Sequence, residues 1–390
     1  MLALAACLTA AGGAPVPAED VLLPAPSECR SDASVPVRLP LRLAVYAPGR
    51  DAGTVEALLN VLNAQGIVTG LSMTGDRESA DVLCSLEGES AETGEGYEMR
   101  LENRKGGRGV LHLRAAAPQG RFWQSAVQIL NANRTEGGFS VPAFSIRDVP
   151  QFEWRGIMLD VSRHFFTMAE VKRMIDTMSL FKLNRLHLHL ADGPGWRLEI
   201  KKYPLLTAMS AWRVPLASGE WNWQEVKLAI QENDPEATYG GFYTQEQMKE
   251  IIAYARSRRV TVVPGIELPG RAYGDRRAYG ELVCDGVNFP VEGKKGRDTV
   301  CMGRPETLRF VKDVVDELKT IFPPGSPIHL GHDEVSTESW RNCKYCQSRL
   351  KELNENSLKA LGRDFLQQVA SYVRQGGYDA IVWDEGGELE

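Results

Sequence analysis

The sequence predicts an α/β protein in which a parallel sheet with helices packed outside it follows a small α+β domain. After Pro150, short apolar segments alternate with amphipathic ones, and this alternation along the chain is typical of a parallel sheet. The apolar segments are nearly continuous, as expected of strands covered on both faces. Polar residues stand at their carboxyl ends, where such folds place their active sites.

The composition is that of an ordinary globular protein. The 390 residues include 45 basic and 51 acidic side chains, which give a net charge of −6, and 43% of the residues are hydrophobic. This length suggests two or three domains. The charge balance implies no strongly basic face, so nucleic acid is not expected as a partner. No apolar run reaches about 18 residues, so a membrane-spanning helix is not expected.

Residues 1–35 are predicted to be an export-signal remnant followed by a Pro-rich tether. Leu4-Ala5-Ala6-Cys7 has the form of a bacterial lipoprotein processing site, although no Lys or Arg precedes Arg30. The alternative is that this Ala-rich segment is not a targeting signal. The expectation is an exported protein that is periplasmic, secreted or lipid-anchored at a bacterial cell envelope.

Residues 36–149 are predicted to form the α+β domain. They carry no convincing catalytic constellation, so a supporting role is expected. The predicted elements are a strand at Leu41–Tyr46, a helix at Thr54–Ala64, antiparallel strands at Tyr97–Leu101 and Val110–Leu113, and a helix from Gly120 to about Asn131.

Residues 150–390 are predicted to form the parallel sheet and its helices. The predicted strands are Gly156–Val161, Asn184–Leu190, Val260–Ile266, Ile328–Gly331 and Ala380–Trp383. The predicted helices are Met168–Phe181, Thr244–Arg259, Pro305–Phe322 and Ser357–Gln375.

The adjacent acids Asp333 and Glu334 are the sharpest candidates for catalysis. Neighbouring carboxylates in a partly desolvated pocket cannot both ionise cheaply, so one of them can act as an acid near neutrality. A solvated pair without function is the alternative. The other polar residues around the strands are Arg155 and Asp160 at the first, His187, His189 and Asp192 at the second, Glu267 and Arg271 at the third, His329 at the fourth and Trp383 at the fifth.

His187 and His189 lie on one face of their strand and have two interpretations. They can hold a divalent metal in a metal-dependent hydrolase, with Asp192, His329 or Asp333 completing the site. Alternatively, they are inward-facing residues that bond to neighbouring strands. The second interpretation is favoured, because an arginine projecting toward the site would be awkward beside a dication.

Tryptophans near the strand ends suit the apolar faces of sugar rings. Packing alone explains most tryptophans of this kind. Of Trp196, Trp212, Trp221, Trp223 and Trp383, only Trp383 stands directly at a strand end. A functional role is therefore predicted for Trp383 alone.

The cysteines leave several possibilities open. Cys284 and Cys301 flank one loop and could be bridged in an oxidising compartment. Cys343 and Cys346 form a C-x-x-C without a second pair at zinc-ribbon spacing, which is a weak metal signal. A local disulfide or free thiols are about as plausible, and no metal site is predicted.

Together these motifs resemble glycoside hydrolase family 20, the β-N-acetylhexosaminidases. The likeness covers nearly all of residues 140–390. The segments that carry it are Arg155–Asp160, Ser162–Phe166, Lys182–Asn184 with His187–Leu190, Gly195–Ile200, Gly241–Thr244 and the strand leading into Asp333-Glu334. The resemblance implies a (β/α)8 catalytic domain of the TIM-barrel type, and it implies that the α+β unit is the domain that precedes the barrel in that family.

The resemblance also implies a chemistry. The substrate would be a glycan with a terminal β-linked N-acetylhexosamine, hydrolysed with retention by attack of the sugar's own acetamide oxygen. Glu334 would be the general acid and base, and Asp333 would orient the acetamide. Arg155 would hold ring hydroxyls, Trp383 would wall the pocket, and Asp192 would match the acid that supports the catalytic glutamate through a histidine. His189, His329 and Arg271 would surround these residues, and no cofactor is expected.

Three positions depart from the family pattern. Arg271 stands where the intermediary histidine is usual, Gly265 where a glutamate is usual, and His332 where a glycine is usual. An arginine cannot relay a proton, and next to Glu334 it would favour the ionised carboxylate and weaken acid catalysis.

The strand count is a further departure, since a family barrel has eight strands and only five can be counted here. The expectation is therefore an incomplete barrel, and a catalytically decayed or fragmentary carbohydrate-binding protein is the alternative to an active hydrolase. The sequence does not predict an oligomeric state.

Overall fold

The computed structural model describes residues 14–48, 70–86, 94–105, 107–115, 122–219, 222, 226–272, 278–285 and 299–384. Three predictions fall outside these residues. They concern the lipoprotein-like start at Cys7, the helix at Thr54–Ala64, and the tryptophans Trp221 and Trp223.

The chain forms two compact units. Within the described residues, the first comprises the chain up to Arg155 with Met174–Asn184 and Arg256–Val260, and the second comprises Gly156–Arg173, Arg185–Ala255 and the chain from Thr261 onward. The domain boundary predicted between residues 149 and 150 stays a prediction.

The first unit contains a mixed sheet. Its strands are β1 (Glu28–Pro40), β2 (Arg42–Tyr46), β3 (Gly70–Met73), β4 (Val82–Leu86), β5 (Tyr97–Asn103), β6 (Gly109–Ala115), β7 (Arg134–Thr135) and β8 (Gly138–Asp148). Their order is β1-β8-β5-β6-β4-β2-β3, with β7 joined to β8. The pairs β2 with β3, β2 with β4 and β4 with β6 are parallel, and the remaining pairs are antiparallel. The described residues of this unit also include a 3-10 turn at Ala18–Asp20 and the helix α1 (Phe122–Ala132).

The core of the first unit follows from period-two alternation along its strands. In β5, Tyr97, Met99 and Leu101 are buried while the residues between them are more exposed, because successive side chains of a strand point to opposite faces. These residues pack with Val141 and Ile129 in one apolar cluster. The predicted antiparallel pairing of Tyr97–Leu101 with Val110–Leu113 is confirmed.

The second unit is built on a parallel sheet. Its strands are β9 (Gly156–Asp160), β10 (Arg185–His189), β15 (Thr261–Leu268), β16 (Pro327–Gly331) and β17 (Asp379–Ile381). They pair in the order β17-β16-β15-β10-β9. Two antiparallel pairs lie in the loops, β11 (Ala191–Asp192) with β12 (Gly195–Trp196), and β13 (Trp212–Arg213) with β14 (Tyr239–Gly240).

Helices follow the strands, as the alternation predicts. They are α2 (Met168–Leu180), α3 (Leu205–Ala208), α4 (Gln245–Ser257), α5 (Pro305–Ile321), α6 (Lys344–Glu352) and α7 (Lys359–Gln375), with 3-10 turns at Gly280–Leu282 and Glu338–Trp340. In α5 the buried residues Phe310, Val314 and Leu318 recur at helical spacing and form the face turned away from solvent. None of the helices in the described segments is long and apolar enough to cross a membrane.

The α/β fold class is therefore confirmed, with five parallel strands in the described part of the chain. The register places the carboxyl ends of neighbouring strands side by side. His189 lies opposite Asp160 on one side and opposite Gly265 on the other. Gly265 in turn lies opposite His329. Because the strands are parallel, the loops that follow these residues emerge at one edge of the sheet.

Candidate active site

One edge of the parallel sheet collects acidic, basic and aromatic side chains. The strand ends β9, β10, β15 and β16 lead into Asp160, Asp192, Glu267 and the Asp333-Glu334 pair. The residue types predicted at the strand ends therefore come together for a structural reason, namely the common direction of the strands.

Asp192 is the centre of a buried ion cluster. Its carboxylate accepts a hydrogen bond from the Gly193 backbone N–H at 2.7 Å and lies 2.8 Å from Nε2 of His189. The Arg163 guanidinium pairs with the same carboxylate at 2.9 Å. Since the Asp192 side chain has no exposed surface, these partners balance a charge that burial alone would disfavour.

Arg163 is held at the carboxyl end of β9 by Asp160. The Asp160 carboxylate accepts the backbone N–H groups of Ser162 and Arg163 at 3.0 and 2.9 Å, and it pairs with the Arg163 side chain at 2.8 Å. The turn after the strand is thereby fixed, and the guanidinium bridges Asp160 and Asp192.

The structure places Arg155 elsewhere. It precedes the first residue of β9, and its side chain donates to the carbonyl of Lys182 at 2.9 Å and pairs with Glu95, all within the first unit. The strand separates Arg155 from the end that carries Asp160. Arg163, three residues after Asp160, lies at that end of the strand and pairs with both Asp160 and Asp192.

Arg271 contacts both members of the acid pair. Its guanidinium lies 2.8 Å from Asp333 Oδ2 and 2.7 Å from Glu334 Oε2. The Asp333 side chain is 29% exposed and that of Glu334 is 73% exposed, so Glu334 is open to a ligand. The predicted contact of Arg271 with Glu334 is therefore present.

The backbone around the acid pair is unusual. Arg271, His332 and Glu334 have φ angles of 50°, 80° and 45°, in the left-handed region that costs about 1–2 kcal/mol for a residue with a Cβ. Such conformations persist only where surrounding contacts hold them, and they cluster at functional sites.

Glu267 links the acid pair to the last strand. It is buried, and its carboxylate accepts the backbone N–H of Asp333 at 2.9 Å and the indole N–H of Trp383 at 3.3 Å. Burial raises the pKa of Glu267 to about 7. Its charge therefore changes near neutrality, directly beneath Asp333.

An aromatic layer lies beside Glu267. His187 stacks on His329 with ring centroids 4.5 Å apart, and His329 lies 4.3 Å from the Trp383 ring. Burial lowers the pKa of His187 to about 3 and that of His329 to about 4, so both rings are neutral near pH 7. Trp383 is half-buried.

The metal interpretation of His187 and His189 finds a different set of donors in the structure. His189, Asp192 and Glu267 offer ligand atoms within 4.8 Å of one another, and His187 is not among them. Asp192 is already paired with Arg163 and His189. A dication would have to compete with the arginine, so the geometry favours ion pairing over metal binding.

Two of the departures from the family pattern have structural explanations. A Cβ on Gly265 would lie 2.3 Å from Nε2 of His187, so the His187 ring occupies the space that a side chain at 265 would need. His332 is buried, and its ring lies 3.6 Å from the position of a Cβ on Gly362. Its positive φ explains why a glycine is easily accommodated at this position.

Arg197 organises the loops behind the site. It is fully buried, and its guanidinium donates to the carbonyls of Val161, Ser162 and Gly241 at 3.0, 2.7 and 3.1 Å. It also donates to the carbonyl of Ala211. The turn that carries Arg163 is thereby tied to the loops after β10 and before α4.

Sequence reasoning missed the roles of Arg163, Glu267 and Arg197. A signal was available for the first two, because each stands at a strand end among other polar residues. Arg197 lies in a loop and contacts backbone carbonyls from distant segments, which no local pattern reveals.

Comparisons with known proteins identify the family of this chain. The sequence model of the family described as glycosyl hydrolase family 20, catalytic domain, matches residues 152–389 of this chain. A β-hexosaminidase of Porphyromonas gingivalis is 36% identical over 304 residues, which cover 75% of this chain and 36% of that protein. A β-hexosaminidase of Akkermansia muciniphila is 32% identical over 282 residues, which cover 70% of this chain and 53% of that protein. The chain thus spans between about a third and a half of the length of these relatives.

Solved structures are similar over almost the whole chain. The N-acetyl-β-hexosaminidase of Streptomyces plicatus, in complex with Thio-NAglucal, has a TM-score of 0.76 at 28% identity and covers 97% of this chain and 68% of its own. An exo β-N-acetylglucosaminidase of Vibrio harveyi, in complex with N-acetylglucosamine, has a TM-score of 0.79 at 25% identity and covers 97% of this chain and 57% of its own.

Proposed function

The chain belongs to glycosyl hydrolase family 20, and from that membership we propose that it removes terminal β-linked N-acetylhexosamine from glycans or glycoconjugates. The observation that carries the proposal is the Asp333-Glu334 pair at the carboxyl end of β16, with the Glu334 side chain open to solvent. The β-hexosaminidase relatives support the same reaction class.

The proposed chemistry is substrate-assisted and retaining. Glu334 protonates the leaving glycosidic oxygen while the substrate's acetamide oxygen attacks the anomeric carbon, and Glu334 then activates the water that opens the oxazolinium intermediate. Asp333 accepts a hydrogen bond from the acetamide N–H and stabilises its developing positive charge. The hydrogen bond from the Asp333 backbone N–H to the Glu267 carboxylate supports this role, because it fixes the backbone position from which the Asp333 side chain extends.

The remaining residues bind and orient the sugar. Arg163 replaces Arg155 in the proposal as the donor to ring hydroxyls, because it stands at the strand end beside Asp192. Trp383 walls the pocket with the part of its indole that is not packed on His329. Arg271 contacts both acids, and the weaker acid catalysis expected from this contact stays a prediction. Export to the cell envelope stays part of the proposal and rests on the first residues of the sequence alone.

The test is release of a chromophore from an aryl N-acetyl-β-glucosaminide by the full chain. We expect Glu334→Gln to lower kcat by roughly 10²–10⁴-fold, the range typical of a lost general acid. Glu338→Gln changes an exposed glutamate four positions later and is the matched control, with activity expected to stay near the parent rate. An equal rate for Glu334→Gln and the parent would show that the assignment of the acid is wrong.

The mechanism has its own readout. An aryl β-glucoside has a hydroxyl in place of the acetamide, so it offers no internal nucleophile and we expect no turnover. The first product seen by NMR should be the β-anomer of the free sugar. Hydrolysis of both substrates at similar rates would contradict the substrate-assisted step, and a folded chain that turns over neither substrate would contradict the proposed activity.

A further inference from the structure

Four cysteines from three segments of the chain come together in the second unit. They are Cys284, Cys301, Cys343 and Cys346, all four are buried, and their sulfur atoms lie within 4.8 Å of one another. Cys284 follows the 3-10 turn Gly280–Leu282, and the C-x-x-C spans the start of α6. This gathering is independent of the proposed glycosidase chemistry.

The sulfur distances match the geometry of one shared centre. Sγ of Cys346 lies 3.8 Å from that of Cys284 and 3.6 Å from that of Cys301, and Sγ of Cys301 lies 3.6 Å from that of Cys343. A disulfide needs a separation of about 2.0 Å. A tetrahedron with zinc–sulfur bonds of about 2.3 Å has edges of about 3.8 Å.

The way in which the sulfur atoms neighbour one another also indicates a single shared centre. Cys301 and Cys346 each approach two other sulfurs, so the four do not divide into two separate pairs. Four thiolates around one ion give such a network, because every ligand is then the neighbour of the other three. The sequence signal was weak because Cys284 and Cys301 are far apart in the chain and do not form a second C-x-x-C.

The surroundings suit thiolates. The backbone N–H of Gly303 donates to the Cys301 sulfur, and the hydroxyl of Thr307 donates to the Cys301 carbonyl at 2.7 Å. The Arg304 guanidinium lies over the Tyr345 ring at 4.1 Å, close to Cys301 and Cys343. Arg304 also pairs with Asp285 at 2.7 Å. A backbone donor and one guanidinium near the sulfurs favour the negative charge that a tetrathiolate centre carries.

Gly303 permits the close approach of the two cysteine-bearing segments. A Cβ at this position would lie 2.1 Å from the backbone carbonyl of Tyr345 and 2.4 Å from the backbone nitrogen of Cys346. Only a glycine therefore allows residues 301–303 to pack against the start of α6.

We propose that Cys284, Cys301, Cys343 and Cys346 bind one zinc ion in a tetrahedral site. Four protein ligands leave no open coordination position, so the role is structural. The ion joins the segment at Cys301 to α6. Val300, the neighbour of Cys301, donates its N–H to the Pro269 carbonyl at 3.0 Å and accepts the indole N–H of Trp340 at 2.9 Å. The site thus braces the loops that lead to Arg271 and away from Glu334.

The first test measures metal in the full chain purified without chelator after growth with added zinc. Elemental analysis should give about one zinc ion per chain, and modification of the thiols by a mercurial should release it, as followed with a chromogenic chelator. A folded chain without zinc, a chain with iron in its place, or an intact mass lower by four hydrogens from two disulfides would each overturn the proposal.

The second test uses variants. Cys343→Ser with Cys346→Ser should lower bound zinc at least tenfold and lower the thermal midpoint. Cys84→Ala removes a buried cysteine of the first unit and is the control, with zinc content expected to be unchanged. Equal zinc content in the double variant and the parent would overturn the assignment of the ligands. If the double variant does not fold, the thiol-linked release from the parent chain decides the question.

Discussion

At the scale of single residues, Glu267 connects the chemistry of the site to pH. Its carboxyl is buried under Asp333, and burial raises its pKa to about 7 from the ordinary value of 4.5. Between these two values the folded chain holds a proton that the unfolded chain has lost. The free energy of unfolding therefore falls as pH rises through this window.

Glu267→Gln should remove that pH dependence. We expect the variant to gain stability relative to the parent between about pH 5 and pH 8, by up to about 3 kcal/mol, which is the upper limit that the shift in pKa allows. Denaturant unfolding of both proteins at the two pH values measures the change. Glu250→Gln, at a largely exposed side chain, should show no comparable change. A gain for Glu267→Gln that does not depend on pH would contradict the buried, titrating carboxyl.

Gly265 is a second residue whose role is decided by one neighbour. His187 fills the space beside it, and that ring is stacked on His329 and cannot move cheaply. In this chain a side chain at position 265 would therefore meet the His187 ring.

Gly265→Ala should destabilise the chain by about 1–3 kcal/mol, the usual cost of overpacking a core. Urea unfolding measures the loss, and Gly280→Ala is the control because a Cβ there meets nothing within 4 Å. In a His187→Ala background the added methyl should cost much less. If Gly265→Ala and Gly280→Ala had the same effect, His187 would not be the obstacle.

At the scale of elements, the loops after β9 and β10 depend on Arg197. One planar guanidinium satisfies carbonyls of several loop segments, including Val161 and Ser162 on either side of the turn to Arg163. Burial lowers the pKa of Arg197 to about 10, which leaves the group charged at neutral pH. The three nitrogens of the guanidinium donate in different directions, whereas a lysine has one nitrogen at its tip and cannot reach all of these carbonyls.

Arg197→Lys should therefore leave buried carbonyls without donors and cost about 3 kcal/mol or more. Arg163 should also lose its fixed position, so kcat/KM for the aryl N-acetyl-β-glucosaminide should fall together with the unfolding midpoint. Arg173→Lys, at a side chain that is 70% exposed, is the control and should change neither. A stable Arg197→Lys variant with parental kcat/KM would show that the fork does not organise these loops.

The sequence patterns located the long helices and the strands of the parallel sheet to within a few residues, but they missed the two longest strands of the first unit, β1 (Glu28–Pro40) and β8 (Gly138–Asp148). The first residues of β1 lie in the segment that was predicted to be a tether, so that part of the prediction is wrong. The helix predicted at Pro305–Phe322 is found at Pro305–Ile321, and the strand predicted at Val260–Ile266 is found at Thr261–Leu268. A helix of several turns buries one face, so its period is visible in the sequence. The helix at Lys344–Glu352 and the two-residue strands of the loops were not predicted, because such short elements complete too few periods.

At the scale of the whole molecule, the strand order of the second unit follows from simple rules. Consecutive parallel strands joined by helices lie next to each other, and the observed order is sequential from β9 through β10, β15 and β16 to β17. The mixed sheet of the first unit is different, since β1 and β8, far apart in sequence, form one of its pairs. Pairing of this kind depends on contacts that no local pattern contains.

The amino-acid sequence by itself determined the α/β class, the place of the acid pair Asp333-Glu334 at a strand end, and the resemblance to the family. These features are local, because the spacing of apolar residues within one segment indicates its secondary structure and its buried face. The tertiary structure decided which distant side chains meet: Arg163 rather than Arg155 at the strand ends, Arg271 on both acids, and four cysteines in one cluster. Such contacts depend on strand register and loop paths, which the free energy of the whole folded chain selects.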